Sequence, residues 1–349
     1  MNQRISTVAV LLLLLGFAVT GCQAQKYETS FSDLFDTYTT ITGYSKSEDE
    51  FSVYAAAIYD TMWYYHQLFD IYHEYEGIVN LKTINDNAGG SPIVVSQDLF
   101  DFLLWAKEAY STTGGSVNIA LGPVLRLWED CRTKSESGSG SASIPDATSL
   151  SEALLHTHID GLILDPSTLT VYLSDPEASL DVGALAKGYA VEMAAKKALD
   201  AGFTSGLINA GGNVRCIGMP QDGRRNAFSI GIQNPNETAE TSLFDTVQVT
   251  DLSIVTSGDY QRYFIVDGTR YHHILDPATA MPANRFRSVT VIHADSKIAD
   301  MLSTALFILP YEKGLALATS YEAEVLWIFG DLTWEATDGY KAMSQTLTP

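Results

Sequence analysis

The segment that most constrains the fold is a helix-forming stretch in the middle of the chain, residues 179–202. Alanines recur every four residues within it, so one helix face is lined by small side chains that allow close packing against a sheet. Gly202 is a favoured C-terminal stop. Asp181 is placed to cap the helix start, whereas Lys187 brings a cation to a helix N-terminus, where positive charge is disfavoured unless an anion lies nearby. These two residues are therefore either a simple cap and a solvated lysine, or parts of an anion site.

The first 21 residues are predicted to be a secretory signal peptide. An apolar run over residues 8–19 follows Arg4 and precedes small residues, and it is too short to cross a bilayer as a helix. The sequence Val-Thr-Gly before Cys22 resembles a bacterial lipobox, which makes Cys22 the lipidated first residue of the mature protein. We therefore expect an extracytoplasmic lipoprotein, anchored to the cell membrane by its lipid and otherwise soluble.

The rest of the chain is predicted to consist of a polar tether, residues 22–33, and one large folded domain, residues 34–349. The formal net charge of −21 argues against nucleic acid as a partner. An acidic protein that binds a phosphorylated ligand needs local compensation from a metal ion or from helix N-termini. Only Cys131 and Cys216 follow Cys22; they lack zinc-site spacing, and the sequence leaves their pairing open.

Hydrophobic patterning predicts an α+β fold, with mixed or antiparallel sheets and packed helices, because strands cluster in the second half of the chain. Residues 35–44 are predicted to form the first strand, 47–72 a helix and 75–90 a loop. The low-complexity run 133–143 is predicted to be a flexible surface loop within the domain. Further helices are predicted over 96–111, 146–157, 296–309 and 311–319, and further strands over 161–173 (a hairpin), 206–209, 214–217, 228–232, 247–250, 253–256, 260–266, 289–293 and 324–329.

Two motifs between the predicted strands carry polar groups. Asn209-Ala-Gly-Gly-Asn213 by itself favours a Gly-Gly hairpin turn, and it is not a dinucleotide fingerprint because no helix follows. His272 and His273 precede Asp276 near the end of a strand, a combination that suits a metal site, an acid–base group or merely exposed residues.

A third motif lies on the predicted helix that begins at Ser296. This helix is apolar nearly all round, yet it carries Asp300 and, four residues later on the same face, Thr304. A carboxylate buried there needs a partner, because an unpaired buried charge is costly. Oxygen ligands of this type suit Mg²⁺, which takes few protein ligands and completes its shell with phosphates and water. A salt bridge to a lysine is the alternative.

Taken in order, these motifs resemble the ApbE family of FAD:protein FMN transferases over residues 35–329. The most specific are SLDVGALAKGYA, INAGGNVRCIG, VTSGDYQRYF, HHILDP and ADMLSTALF. The resemblance implies an ApbE-like fold and Mg²⁺-dependent transfer of FMN from FAD to a threonine of an acceptor protein, with release of AMP. It also implies two partners, FAD and an acceptor that is an exported or membrane redox protein.

The resemblance also implies roles for individual residues. Asp300, Thr304 and the backbone carbonyl of Ala184 match the metal ligands of the family. The positions that match contacts to FAD, including its flavin or adenine, are Asp181, Lys187, Tyr72, Ser116, Val117, Asn118 and Ile274. The N-terminal strand has Phe35-Asp36-Thr37 where the family commonly has Met-Gly-Thr, which weakens the case for a cofactor role of Phe35.

His273 matches the candidate general base of the family, with Asp276 supporting that region. Successive side chains of a strand point to opposite faces, so in a strand ending at Leu275 only one of the two histidines faces the diphosphate. The resemblance selects His273 over His272.

Two other functions stay open at this point. In an FAD pyrophosphatase, water replaces the threonine hydroxyl and the products are FMN and AMP, so the same metal site serves both reactions. A non-catalytic flavin-binding lipoprotein needs Asp181 and Lys187, but it has no need of Asp300, Thr304 and His273 together.

Overall fold

The computed structural model of the protein describes residues 24–137 and 142–347. The predicted signal peptide and the lipidation site at Cys22 lie outside the described residues, so both stay predictions. In the part of the chain that is described, no helix has the length and apolarity needed to cross a membrane. Cys131 and Cys216 are both free thiols, which answers the question of their pairing.

The first half of the chain is mainly helical. It contains β1 (Gln25–Leu34), β2 (Thr37–Ser45), α1 (Glu48–Phe69), α2 (Leu81–Asp86), β3 (Ile93–Val94), α3 (Gln97–Thr112), α4 (Gly122–Glu136), α5 (Ala147–Leu154), β4 (Leu162–Asp165) and β5 (Thr170–Leu173).

The second half is mainly strands. It contains α6 (Ala186–Asp200), β6 (Gly206–Ala210), β7 (Asn213–Ile217), β8 (Phe228–Gln233), β9 (Leu243–Val249), β10 (Ser253–Gly258), β11 (Tyr263–Val266), β12 (Thr269–His272), β13 (Leu275–Asp276), β14 (Met281–Pro282), β15 (Phe286–His293), α7 (Ser296–Ile308), α8 (Tyr311–Ser320), β16 (Glu324–Phe329), β17 (Trp334–Ala336) and α9 (Asp338–Met343).

An eight-stranded sheet in the order β1-β2-β6-β7-β10-β15-β16-β17 forms the centre of the molecule. Every neighbouring pair in it is antiparallel. Helices α1, α6 and α7 pack together on one face, and the β8–β9 hairpin and α9 share a hydrophobic cluster with the other face. The fold is therefore α+β with antiparallel sheets, as the sequence predicts.

Helix α6 owes its central position to its small side chains. Ala190, Ala194 and Ala198 are fully buried, and they let α6 pack directly against α1 and α7. The helix ends where Gly202 adopts a φ of +99°, which side chains other than glycine rarely tolerate. The predicted face of small side chains is confirmed. It packs against the sheet, as predicted, and also against helices α1 and α7.

Three predictions about segments in the first half of the chain are wrong. Residues 25–33 are not a tether but belong to the edge strand β1, which pairs with β2. The proposed loop 133–143 begins too early, because α4 continues through Glu136. The proposed loop 75–90 contains the short helix α2, which Asn80 caps through a reciprocal bond with Thr83.

Candidate active site

A cleft of about 1280 Å³ opens at one end of the sheet. It lies where the β1–β2 turn, the start of α6, the β6–β7 turn, the end of β10 and the middle of α7 meet. The cleft is lined by every residue proposed above for FAD or the metal, and by His273. Asp276, the other proposed catalytic residue, does not line the cleft. Segments that are far apart in sequence thus contribute polar groups to a single cavity.

The carboxylate of Asp300 lies at the N-terminal end of α6. Its Oδ2 accepts a hydrogen bond from the backbone N–H of Gly188 at 2.7 Å, one of the donors that the first turn of a helix leaves unpaired. A Cβ placed on Gly188 would lie 2.3 Å from the Cβ of Asp300, so only glycine allows α6 and α7 to approach this closely. The anion that Lys187 requires at this helix end is therefore Asp300.

The surroundings of Asp300 favour an additional cation. Burial raises the pKa of its carboxyl, and nearby Lys187 opposes the rise without forming an ion pair within 4 Å. Within residues 24–137 and 142–347, no three His, Cys, Asp or Glu side chains cluster around a metal position. One carboxylate, the Thr304 hydroxyl and the Ala184 carbonyl suit Mg²⁺, a hard cation that keeps water and phosphate ligands, better than a metal that needs several side chains.

Asp181 does not cap α6, contrary to the prediction from sequence. The N-cap residue is Leu185, which makes no side-chain cap, and Asp181 instead accepts a hydrogen bond from Gly183 N at 2.8 Å in the preceding turn. Its enclosure in the cleft raises the pKa of its carboxyl, and Glu129 adds to the rise. Asp181 thus lies in the turn before α6, lines the cleft and makes no bond to the helix N-terminus.

The two histidines are in different environments. His272, the last residue of β12, is buried; its Nε2 donates to the carbonyl of Ala283 at 2.6 Å and its Nδ1 accepts from Ile274 N. His273 lies after the strand, with its side chain exposed to the cleft. The strand predicted to end at Leu275 therefore ends at His272, so the alternation of side chains along a strand does not decide between the two histidines.

The hydrogen bond of His273 determines its tautomer. Nδ1 contacts the carbonyl oxygen of Arg262 at 3.2 Å, and a carbonyl only accepts, so Nδ1 carries the proton and Nε2 keeps a free lone pair. The enclosing cleft walls and the cations Lys187 and Arg262 lower the pKa of His273 to about 3. The imidazole is therefore neutral at neutral pH and is a proton acceptor through Nε2.

The remaining predicted contacts differ in what they offer a ligand. The Ser116 hydroxyl donates to Thr113 O at 2.6 Å, and the Asn118 side chain both caps Ala120 N and donates to Thr157 O. Since these side chains are used within the protein, this segment offers mainly its backbone and shape to the cleft. Tyr72 stands at the rim, 55 % exposed, and its hydroxyl donates to Glu129 at 3.0 Å.

Asp276 lies outside the cleft lining. Its Oδ1 accepts from Ala278 N at 2.9 Å, and its carbonyl accepts from Ala280 N at 2.9 Å, so it organises the turn between β13 and β14. In this position Asp276 supports the segment that carries His273 and does not itself face the cavity.

The predicted Gly-Gly hairpin turn is confirmed: Gly211 and Gly212 form the β6–β7 turn with φ values of +57° and +92°, and both line the cleft. Two other lining residues received no role from the sequence, His66 and Arg262 of the VTSGDYQRYF motif. His66 accepts a hydrogen bond from Phe35 N at 3.3 Å. The motif containing Arg262 was recognisable, but only the fold reveals which of its side chains faces the cavity.

Known proteins match this chain over most of its length. The ApbE family model matches residues 35–328. The FAD:protein FMN transferase of Klebsiella pneumoniae (strain 342) is 35 % identical over 258 residues, which cover 72 % of this chain and 77 % of the relative. The FAD:protein FMN transferase of Treponema pallidum (strain Nichols) is 34 % identical over 272 residues, which cover 74 % of this chain and 73 % of the relative.

Solved structures of ApbE proteins have a fold similar to that of this chain. The crystal structure of the ApbE protein of Thermotoga maritima has a TM-score of 0.80 at 29 % identity, covering 91 % of this chain and 99 % of its own. The flavin transferase ApbE of Vibrio cholerae has a TM-score of 0.77 at 25 % identity, and the match covers 92 % of this chain and 99 % of the Vibrio chain. With its family match, its curated relatives and its fold in agreement, this chain belongs to the ApbE family.

Proposed function

We propose that this protein is a Mg²⁺-dependent FAD:protein FMN transferase, which moves FMN from FAD to a threonine of an acceptor protein and releases AMP. The observation that carries the proposal is the convergence of Asp300, Lys187 and neutral His273 in one cleft. The names of the relatives support the same activity. The volume of the cleft, about 1280 Å³, exceeds that of most small-molecule sites and leaves room for a dinucleotide and for part of an acceptor.

Asp300, Thr304 and the carbonyl of Ala184 would hold Mg²⁺ in this cleft. Bound Mg²⁺ supplies neutralisation of the negative charge on the diphosphate oxygens. Lys187 lies at the N-terminal end of α6, where the helix dipole adds to its attraction for phosphate. The cleft lining also holds carboxylates, Asp181 and Asp300 among them, so Mg²⁺ would supply further positive charge where the anionic substrate binds.

The role of His273 follows from its free Nε2. A threonine hydroxyl is a weak nucleophile, so Nε2 takes its proton as the oxygen attacks the phosphorus of the FMN half. The new phosphoester bond forms as the bond to AMP breaks, and AMP leaves with the electron pair. Binding and orientation provide the rest of the acceleration, and no covalent enzyme intermediate is needed.

Single-turnover transfer with two histidine variants tests this assignment. His273→Ala is expected to bind FAD nearly as the wild type does, yet to transfer FMN about 10²–10⁴-fold more slowly. His272→Ala is the matched control; its imidazole is buried and used within the protein, so it affects stability more than the chemical step. Slow transfer in His272→Ala alone, or in neither variant, contradicts the base assignment.

We also propose that the mature protein is an extracytoplasmic lipoprotein anchored through Cys22. The support is the apolar run ending in Val-Thr-Gly before this cysteine. Cys22→Ala is expected to release the protein from the membrane fraction without affecting FMN transfer in vitro. Retention of the variant in membranes after a high-salt wash contradicts the anchor.

A further inference from the structure

Arg262 is a cleft cation that the assigned chemistry leaves unused. It follows β10 in the connection to β11, and its side chain lines the cleft. The guanidinium Nη2 donates to the main-chain carbonyl of Asp36 in the β1–β2 turn, 3.2 Å away. The side chain thus reaches from one wall of the cleft to another, and its acceptor there is a neutral carbonyl.

The absence of a carboxylate partner distinguishes Arg262 from the arginines near it. Arg287 pairs with Asp259 at 2.8 Å, and Arg270 pairs with Glu237 at 2.8 Å. In the described part of the chain, no carboxylate oxygen lies within 4 Å of Arg262 or of Lys187. In a protein with 42 acidic residues, two cations of the cleft thus make no direct ion pair within the described residues, and Asp300 acts on Lys187 only from more than 4 Å away.

Both cations line the cleft together with His273. Lys187 belongs to α6 and Arg262 to the connection between β10 and β11, and both act on the imidazole of His273 electrostatically. Arg262 is also the residue whose backbone carbonyl accepts from the N–H and from Nδ1 of His273, each at 3.2 Å. An anionic group bound beside His273 in this cleft would therefore lie near two cations that have no carboxylate oxygen within 4 Å in the described part of the chain.

We propose that Arg262 is the second phosphate-binding cation of this site, exchanging the Asp36 carbonyl for the phosphate of the FMN half of the substrate. A guanidinium binds a phosphate by charge-assisted, often bidentate hydrogen bonds that are roughly twice as strong as neutral ones, which favours the exchange. Its backbone meanwhile holds His273 in the tautomer that accepts the proton. One residue thus aligns the phosphorus with the base; this role rests on the proposed function.

Binding measurements separate phosphate recognition from a structural role. Flavin fluorescence titrations in EDTA, without acceptor, compare FAD with riboflavin, which has no phosphate. Arg262→Ala is expected to weaken FAD binding about 10–100-fold, the effect of losing a charged hydrogen bond, and to leave riboflavin binding unchanged. Lys187→Ala is the matched reference for a phosphate cation, and Arg270→Gln, outside the cleft, is the control expected to bind both flavins as the wild type does.

A second measurement covers the chemical step. At saturating FAD and Mg²⁺, Arg262→Ala is expected to slow single-turnover transfer about 10²–10³-fold. Arg262→Lys is expected to have an intermediate rate, because lysine restores the positive charge but not the planar group that binds phosphate through two hydrogen bonds. Unchanged FAD affinity together with an unchanged rate, or equal weakening of FAD and riboflavin binding, overturns the proposal. Failure of the proposed function is recognised separately, because the wild type would then bind FAD but leave the acceptor unmodified.

Discussion

At the scale of single residues, the site depends on one close contact between helices. Lys187 stands near the N-terminus of α6, an unfavourable place for a cation, and the sequence shows only that an anion must be nearby. The structure identifies that anion as Asp300, held by Gly188 N. The need for an anion was predictable from local rules, but its identity was not, because Asp300 lies on another helix and reaches α6 only through packing.

Replacement of Gly188 by alanine tests this contact. In an ordinary helix the change would stabilise by about 1 kcal/mol. Here the added Cβ would lie 2.3 Å from that of Asp300, so we expect destabilisation by about 1–3 kcal/mol and loss of Mg²⁺-dependent FAD turnover. Gly314→Ala in α8 is the control, since its Cβ would meet only ordinary contacts, beginning at 3.4 Å. Stability and turnover of Gly188→Ala are measured by urea unfolding and by release of AMP; a stabilised, active variant contradicts the argument.

Asp70 gives a prediction about pH. Burial raises its pKa, but hydrogen bonds from Tyr72 N, His73 N and the Tyr75 hydroxyl outweigh burial, so the net pKa lies below the ordinary 3.8. A lowered folded-state pKa stabilises the protein above the unfolded value, and this stabilisation disappears as the pH falls through the folded one.

Asp70→Asn is therefore expected to unfold about 1–3 kcal/mol more easily than the wild type at pH 7. The difference should narrow below pH 3.8, where the wild-type carboxyl becomes protonated. Urea unfolding of both proteins across this range checks it. A difference that is constant with pH would mean that the carboxylate charge has no part in holding this segment.

At the scale of elements, the long periodic helices and the main strands were predictable, whereas β1 was not. Most residues of β1 are exposed, because it is an edge strand with little core to face, and it therefore lacks the alternation that marks a half-buried strand. The short elements α2, β12 and α9 contain too few residues for a period to be recognised. Tertiary pairing and capping define these elements.

A buried polar network positions α7 relative to α6. Glu192 of α6 is 4 % exposed, and its Oε2 accepts from Ser296 N at 2.9 Å, at the start of α7. The same oxygen lies 3.5 Å from Nε of Arg215 in β7. The Ser296 hydroxyl continues the network by donating to Asn213 at 2.8 Å. The helix that carries Asp300 and Thr304 is thus anchored at its first turn.

Glu192→Ala removes the acceptor of α7 and one partner of Arg215, which keeps its ion pair with Asp251 at 3.1 Å. We therefore expect destabilisation of about 1–3 kcal/mol, the cost of leaving a buried donor unsatisfied. Glu192→Gln keeps a side-chain oxygen that can accept from Ser296 N, so we expect it to lose less stability than Glu192→Ala. Midpoints of urea unfolding compare the two variants. Equal losses would show that the charge alone, rather than the bond to α7, matters at this position.

At the scale of the whole molecule, the cleft exists only because distant segments converge. Tyr72, Asp181, His273 and Asp300 lie on four separate stretches of the chain, and all four reach one cavity. Recognition of ordered motifs predicted this set, whereas spacing and periodicity alone left each motif with an ordinary structural explanation. What the motifs did not contain was the geometry: the tautomer of His273, the reach of Arg262 and the displacement of Asp276 from the cavity.

The central claim is that this cleft transfers FMN to a protein rather than to water. The most direct test is a mass spectrum of a candidate acceptor after incubation with the full-length protein, FAD and Mg²⁺, with Asp300→Ala as the inactive comparison. We expect a mass increase of one FMN less one water, located on a threonine, with AMP released in equal amount and no change with Asp300→Ala. Stoichiometric FMN and AMP free in solution beside an unmodified acceptor would contradict it.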